Sequence, residues 1–191
     1  MKVDSGSVCR VDDEHRLQTV TRRIASPYYD ARPIADDIRL VVIHAISLPP
    51  DEFGGPWIDD LFAGTLDFSA HPYFETLRDM RVSAHLCIFR DGSISQYVPF
   101  DQRAWHAGKS SWQGREVCND FSIGIELEGC DTQPFEPVQY EQLARSLKAL
   151  FKRYPHLSSA TLAGHSDIAP GRKTDPGPHF DWSLLQSLLL G

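Results

Sequence analysis

The alternation Phe121-Ser122-Ile123-Gly124-Ile125-Glu126-Leu127-Glu128 limits what this chain can become more than any other stretch. Its period of two is that of a β-strand. It places Phe121, Ile123, Ile125 and Leu127 on one face and Ser122, Gly124, Glu126 and Glu128 on the other. The polar face has no bulk before Glu126, which leaves room for a ligand beside that carboxylate, although such a face taken alone more often meets solvent. A second run, Ile38-Arg39-Leu40-Val41-Val42-Ile43-His44, is almost continuously β-branched and apolar. That is the pattern of a strand covered on both faces, and it ends in a histidine at the edge where sites in α/β sheets form. Taken alone, His44 is more often a core histidine bonded to backbone.

The remaining elements follow from local signals. Val82 to Phe89 and Ile94 to Val98 read as strands joined by the turn Arg90-Asp91-Gly92-Ser93, an antiparallel pair that makes the sheet mixed. Glu136-Pro137 opens a helix whose Leu143, Leu147, Leu150, Phe151 and Tyr154 recur at helical spacing until Pro155, a core stripe. Thr161-Leu162-Ala163 reads as a short strand, and Asp181 caps a closing helix through Leu190. Between Ala45 and Met80 lies a long connection in which Pro56 starts a short helix through Leu61 and Phe62. Its aromatics Trp57, Phe62, Phe68, Tyr73 and Phe74 argue against disorder and either line a groove or anchor the loop to the core. In Trp105-His106-Ala107-Gly108-Lys109, an exposed Trp beside a His suggests a binding surface; the alternative is a Trp capping the core while His106 faces solvent.

With 191 residues and 41% hydrophobic content, the chain fits one domain, read as residues 26–191 behind a polar N-terminal arm, 1–25. The formal charge of -7 argues against a nucleic-acid partner, whose phosphates select a basic face. No stretch has the apolar length of a signal peptide or a membrane span, so a cytoplasmic protein without a membrane partner is expected. The four cysteines, Cys9, Cys87, Cys118 and Cys130, are widely and unevenly spaced, which suits reduced thiols.

Chemistry concentrates in Gly164-His165-Ser166-Asp167-Ile168-Ala169-Pro170-Gly171-Arg172-Lys173-Thr174-Asp175-Pro176-Gly177-Pro178. Three prolines and three glycines forbid a regular helix here, so a fixed loop is expected. If strands ending at His44 and His165 are neighbours, two imidazoles reach one edge. Asp175 folding back would complete a His-His-Asp zinc site with an open position. Zinc there lowers the pKa of its water to about 7 and polarises a carbonyl, as amide hydrolysis at neutral pH requires. Glu126 is placed to take the water proton and return it to the leaving amine, and Lys173 to face the oxyanion. Eight histidines allow several other triples.

The strings Val-Val-Ile-His at 41–44, Trp-His-Ala-Gly at 105–108, Ser-Ile-Gly-Ile-Glu at 122–126 and the 164–178 segment resemble the zinc-dependent N-acetylmuramoyl-L-alanine amidases related to T7 lysozyme and the peptidoglycan recognition proteins. Ile46 to Pro50, Phe53 to Asp59 and Arg81 to His85 resemble more closely the cytosolic branch of that family, which acts on 1,6-anhydro-muropeptides in cell-wall recycling. The likeness runs in order from about Ser26 to Trp182. It implies a mixed central β-sheet flanked by helices, zinc on His44, His165 and Asp175, and Glu126 and Lys173 in the roles above. It also implies cleavage of the amide between the lactyl group of anhydro-muramic acid and L-alanine. Trp105 would lie near the sugar, with Arg81 and Arg172 offering charge to peptide carboxylates. A monomer is expected, and in some hosts such an enzyme also lowers the muropeptides that induce a β-lactamase. Ala45 departs from the pattern, because nearer members commonly carry Asn there, so a polar substrate contact is lost or supplied elsewhere. Two rival readings are a silent peptidoglycan-fragment-binding module and a zinc peptidase acting on stem peptides. The filled ligand positions and Glu126 favour an enzyme over the module, and release of intact peptide from the sugar would separate amidase from peptidase.

Overall fold

The structure is a computed structural model and describes residues 9–191. Its strands and helices in chain order are β1 (Arg22–Arg23), β2 (Tyr29–Ala31), β3 (Leu40–Ile46), α1 (Trp57–Ala63), β4 (Leu86–Ile88), β5 (Ile94–Gln96) and β6 (Gln102–Ala104). There follow β7 (Ser111–Trp112), β8 (Arg115–Glu116), β9 (Ser122–Glu128), α2 (Pro137–Arg153), β10 (Leu162–Gly164), α3 (His165–Ile168) and α4 (Trp182–Leu190). Six strands form one mixed sheet in the order β1-β5-β4-β9-β3-β10, parallel except for the β4–β5 hairpin.

β9 and β3 are the sheet's centre, and their two faces have separate fates. Val41, Ile43, Ile123, Ile125 and Leu127 pack against Tyr140, Leu143, Leu147 and Leu150 of α2 and Leu185 of α4. Each such fully buried side chain contributes about 1.5–3 kcal/mol relative to exposure. The polar face of β9 is also buried, so the solvated reading of that face does not hold. Over it lie two apolar clusters. One gathers Leu40, Val42, Ala107, Cys118 and Ile168, and the other Leu48, Ile58, Leu61, Phe62, Phe74 and Leu77 with Cys87 of β4.

Local differences from expectation have identifiable causes. Phe121 belongs to the cluster with Leu40 and Val42 rather than with Ile123, because its backbone (φ -130°, ψ 12°) is not extended and breaks the pleat before β9 begins. The strand expected over Val82–Phe89 is regular only at Leu86–Ile88. The Gly124 N–H donates to the Nδ1 of the His85 ring instead of to a backbone carbonyl, so the regular ladder starts one residue later. β3 continues two residues beyond His44 because Ala45 and Ile46 pair with Leu127 and Glu128. The described part of the N-terminal arm is sewn to the domain, with Leu17 fully buried in the main core and β1 added at the sheet edge; residues 1–8 of that arm lie outside the described residues.

α2 begins with a reciprocal cap between Glu136 and Gln139, and Gln139 also donates to the carbonyls of Ile88 and Glu128, tying the helix to the sheet. Asp181 caps α4 by accepting from the Leu184 N–H. Among the described residues no helix is long and apolar enough to cross a membrane.

Candidate metal centre and active-site cavity

Three adjacent strands deliver the chemistry to one place. β3 lies between β9 and β10, with His44 in register with Glu126 and Ile43 with Gly164, so His165 leaves β10 beside His44. The segment expected to be wholly irregular instead opens with α3, a single helical turn at His165–Ile168 held by the Gly164 N–H donating to Asp167. Pro170 then ends helical structure, as the proline content requires. The Ser166 N–H donates to the Asp175 carbonyl and folds the loop back, bringing the Asp175 side chain over both histidines.

The ligand atoms converge. His44 Nδ1 and His165 Nδ1 are 3.0 Å apart, and Asp175 Oδ2 lies 3.2 Å from the first and 3.1 Å from the second. Three ligands held tetrahedrally at about 2.0 Å from one ion stand roughly 3.3 Å from each other, so this donor set fits zinc. The His165 tautomer is fixed as well: its Nε2 is 3.1 Å from the Ala107 carbonyl, to which only an N–H can bond, so Nδ1 presents a lone pair. Burial pushes the His44 imidazole down to about 4, which keeps it neutral near pH 7 and able to ligate. Burial would raise Asp175, but its contact with the His165 and His44 imidazoles more than offsets this and holds its carboxyl well below the usual carboxylate range.

The triad opens on a cavity of about 340 Å³ that also receives Glu126, Lys173 and His106. Its opposite wall is apolar and is built from the long connection: Leu48, Leu61, Phe62, Tyr73, Leu77 and Met80. The aromatics of that connection divide their labour. Phe62 and Tyr73 line the cavity, whereas Phe74 is fully buried against Trp57 with ring centroids 5.3 Å apart. Glu126 is buried, and its Oε2 has no hydrogen-bond partner. Burial drives its carboxyl well above the ordinary range; the Asp175 charge adds to this and Lys173 opposes it.

Over residues 34–178 the chain matches the family model described as N-acetylmuramoyl-L-alanine amidase. The chain belongs to that family. It is 61% identical over 168 residues to the 1,6-anhydro-N-acetylmuramyl-L-alanine amidase AmpD of Citrobacter freundii, covering 88% of this chain and 89% of that protein. Among solved structures, a crystal structure of a selenomethionine AmpD derivative superimposes with a TM-score of 0.89 at 59% identity, over 93% of this chain and 98% of that one. A complex of the amidase AmiD from E. coli with its substrate anhydro-N-acetylmuramic acid-L-Ala-D-gamma-Glu-L-Lys matches with a TM-score of 0.59 at 33% identity, over 93% of this chain and 65% of that one.

Three residues expected from the resemblance to touch substrate do not line this cavity. Arg172 donates to the carbonyls of Ala107 (2.6 Å) and Lys109 (2.7 Å) and is thereby committed to a loop. Trp105 stacks on Tyr28 and donates to Asp30, and the Arg81 guanidinium lies over the other partner of that pair, Tyr28. Ser83, which does line the cavity, is tied to this aromatic patch through the Trp105 N–H. The residue that sequence reasoning left unresolved is His106. It neither faces open solvent nor forms an outer surface with Trp105; its ring enters the cavity, with Nδ1 2.9 Å from His44 Nε2 and Nε2 3.1 Å from Ser122 Oγ. The signal for it was the smallness of Ser122 and Gly124. The room they leave is taken by an imidazole, since a Cβ on Gly124 would overlap the His106 ring.

Proposed function

We propose that this family member is a zinc-dependent hydrolase of the amide between the lactyl group of 1,6-anhydro-N-acetylmuramic acid and the L-alanine of the stem peptide, acting in peptidoglycan recycling. The observation that carries the reading is the buried, unpartnered carboxyl of Glu126 in the same cavity as three convergent ligand atoms. Burying such a group without a hydrogen-bond partner costs stability, a cost that catalysis justifies and simple fragment binding does not. The likeness to proteins named as 1,6-anhydro-N-acetylmuramyl-L-alanine amidases supports the substrate.

His44, His165 and Asp175 would hold the zinc, which when bound would supply a Lewis acid for the carbonyl and acidify water. Glu126 receives the proton of the attacking water. It then returns that proton to the leaving amine, so one carboxyl serves both halves of the reaction. The Lys173 ammonium stands on the same cavity wall and offsets the negative charge that develops on the carbonyl oxygen. The apolar wall from Leu48 to Met80 excludes water around the sugar. Trp105, bonded to the cavity residue Ser83, and Arg81, joined to Trp105 through Tyr28, receive the sugar and the peptide carboxylates. All four thiols are free, three of them buried, which suits the reducing cytoplasm.

The test is product identity. Zinc-loaded protein incubated with anhydro-muropeptide is expected to release the intact stem peptide and free anhydro-sugar, identified by mass. A shortened peptide still attached to the sugar would make it a peptidase. Binding without product would make it a recognition module. In hosts that carry an inducible β-lactamase, the same turnover removes its inducing muropeptides.

A further inference from the structure

Both candidate ligand histidines are bonded, through their far nitrogens, to a single dipeptide. His44 Nε2 meets the ring of His106 and His165 Nε2 donates to the carbonyl of Ala107. That dipeptide is pinned from outside the cavity: the N–H groups of His106 and Ala107 both donate to Asn119 Oδ1, at 3.1 and 2.8 Å, and Arg172 clamps the Ala107 carbonyl. The 106–107 backbone therefore cannot shift without moving both imidazoles.

The two contacts differ in kind. A backbone carbonyl only accepts, so it dictates one tautomer of His165 whatever else is bound. The His106 ring has one donor and one acceptor, and its outer nitrogen rests on Ser122 Oγ, a hydroxyl that can give or take a hydrogen bond. The chain His44–His106–Ser122 can therefore run in either direction without a buried charge. When His44 Nδ1 is occupied as a ligand, its proton must sit on Nε2. The chain then runs outward, from His44 Nε2–H to His106 Nδ1 and from His106 Nε2–H to Ser122 Oγ.

From this geometry we infer that His106 is the positioning residue of the metal site: it accepts the Nε2–H of His44, fixes that ring's orientation, and adapts its own tautomer to the state of the triad through Ser122. The inference rests on the zinc reading above, and Gly124 is part of it because only a residue without Cβ leaves space for the ring. Partners of this kind typically contribute about 10- to 100-fold in metal affinity.

The experiment is chelator competition for zinc by three proteins: wild type, His106→Leu and His106→Asn. Leucine offers no acceptor, whereas the asparagine Oδ1 occupies about the place of Nδ1. The Leu variant is expected to bind zinc about 10- to 100-fold more weakly, and the Asn variant to recover most of that loss, to within roughly threefold of wild type. Should the Leu variant not fold, ring nitrogen NMR of the zinc-loaded wild type decides: His106 is expected with a bare Nδ1 and a protonated Nε2, and the His44 Nε2–H protected from exchange. His106 protonated at Nδ1, equal zinc affinity of the Leu variant and wild type, or an Asn variant as weak as the Leu variant would each overturn the role of His106. A wild-type protein that binds no zinc would instead defeat the metal reading itself.

Discussion

The two faces of β9 and β3 are equally buried and do opposite things. On the helix side Val41, Ile43, Ile123, Ile125 and Leu127 meet only apolar partners from α2 and α4. On the other side the alternate residues of the same strands are Val42, His44, Ser122, Gly124, Glu126 and Glu128, covered by the long connection with its short helix α1, by the 105–107 loop and by the single turn α3. The first face is interchangeable packing. On the second, Glu128 accepts from the N–H groups of Gly54 and Arg90, His44 meets His106, and Ser122 ends that chain, whereas the buried Glu126 Oε2 has no hydrogen-bond partner. A rigid apolar face thus serves as the reference against which a polar face is held to tight tolerances.

Substitutions on the two faces should therefore separate stability from chemistry. Glu126→Ala is expected to lower kcat by about 10²- to 10⁴-fold while zinc content, measured by elemental analysis, stays at one per chain. Ile125→Ala, its immediate neighbour on the opposite face, is expected to cost about 2–5 kcal/mol in denaturant unfolding with kcat nearly unchanged at low temperature. If Ile125→Ala abolished turnover in a folded protein, the division between the faces would fail.

Gly124→Ala tests the polar face by overcrowding. The added Cβ runs into the His106 ring, and a cost of about 1–3 kcal/mol in unfolding free energy is expected together with weaker zinc binding. A neutral effect on both would mean that the ring is free to move.

How much of this was legible beforehand depended on the range of the interaction. The period of β9 put His44's partner Glu126 on the face opposite Ile125 without any structure, and the stripe from Leu143 to Leu150 announced α2, because both patterns repeat over neighbouring residues. The order His44, Glu126, His165, Asp175 was readable through resemblance. The fate of the polar face was not, since nothing within residues 121–128 says that His106, brought in by a loop pinned to Asn119, will fill the space above Gly124. The partners that Arg172 finds in the Ala107 and Lys109 carbonyls were illegible for the same reason, since they lie more than sixty residues away in the chain. The pleat break at Phe121 and the burial of Leu17 are likewise set by tertiary packing rather than by local pattern.

The smallest expected effect lies outside both faces. Arg103 bridges Asp30 and Asp120 at 2.6 Å each and so holds β2 to β6 beside Trp105. These groups are partly exposed, and Asp30→Asn should cost no more than about 1 kcal/mol. The hydrogen bond from Arg103 lowers the Asp30 carboxyl below its ordinary value. Its stabilising contribution is therefore complete above the unfolded carboxylate value, about 3.9, and disappears as pH falls below it. Wild type and Asp30→Asn should accordingly converge in thermal midpoint as pH is lowered from 6 toward about 3.

The central claim is that His44, His165 and Asp175 make the polar face a metal-dependent hydrolytic site. Its most direct test is a zinc titration of turnover, starting from protein stripped by chelation and verified metal-free. The account predicts no release of stem peptide from anhydro-muropeptide in the stripped protein and full recovery at one equivalent of zinc. Undiminished turnover in the verified zinc-free protein would contradict it.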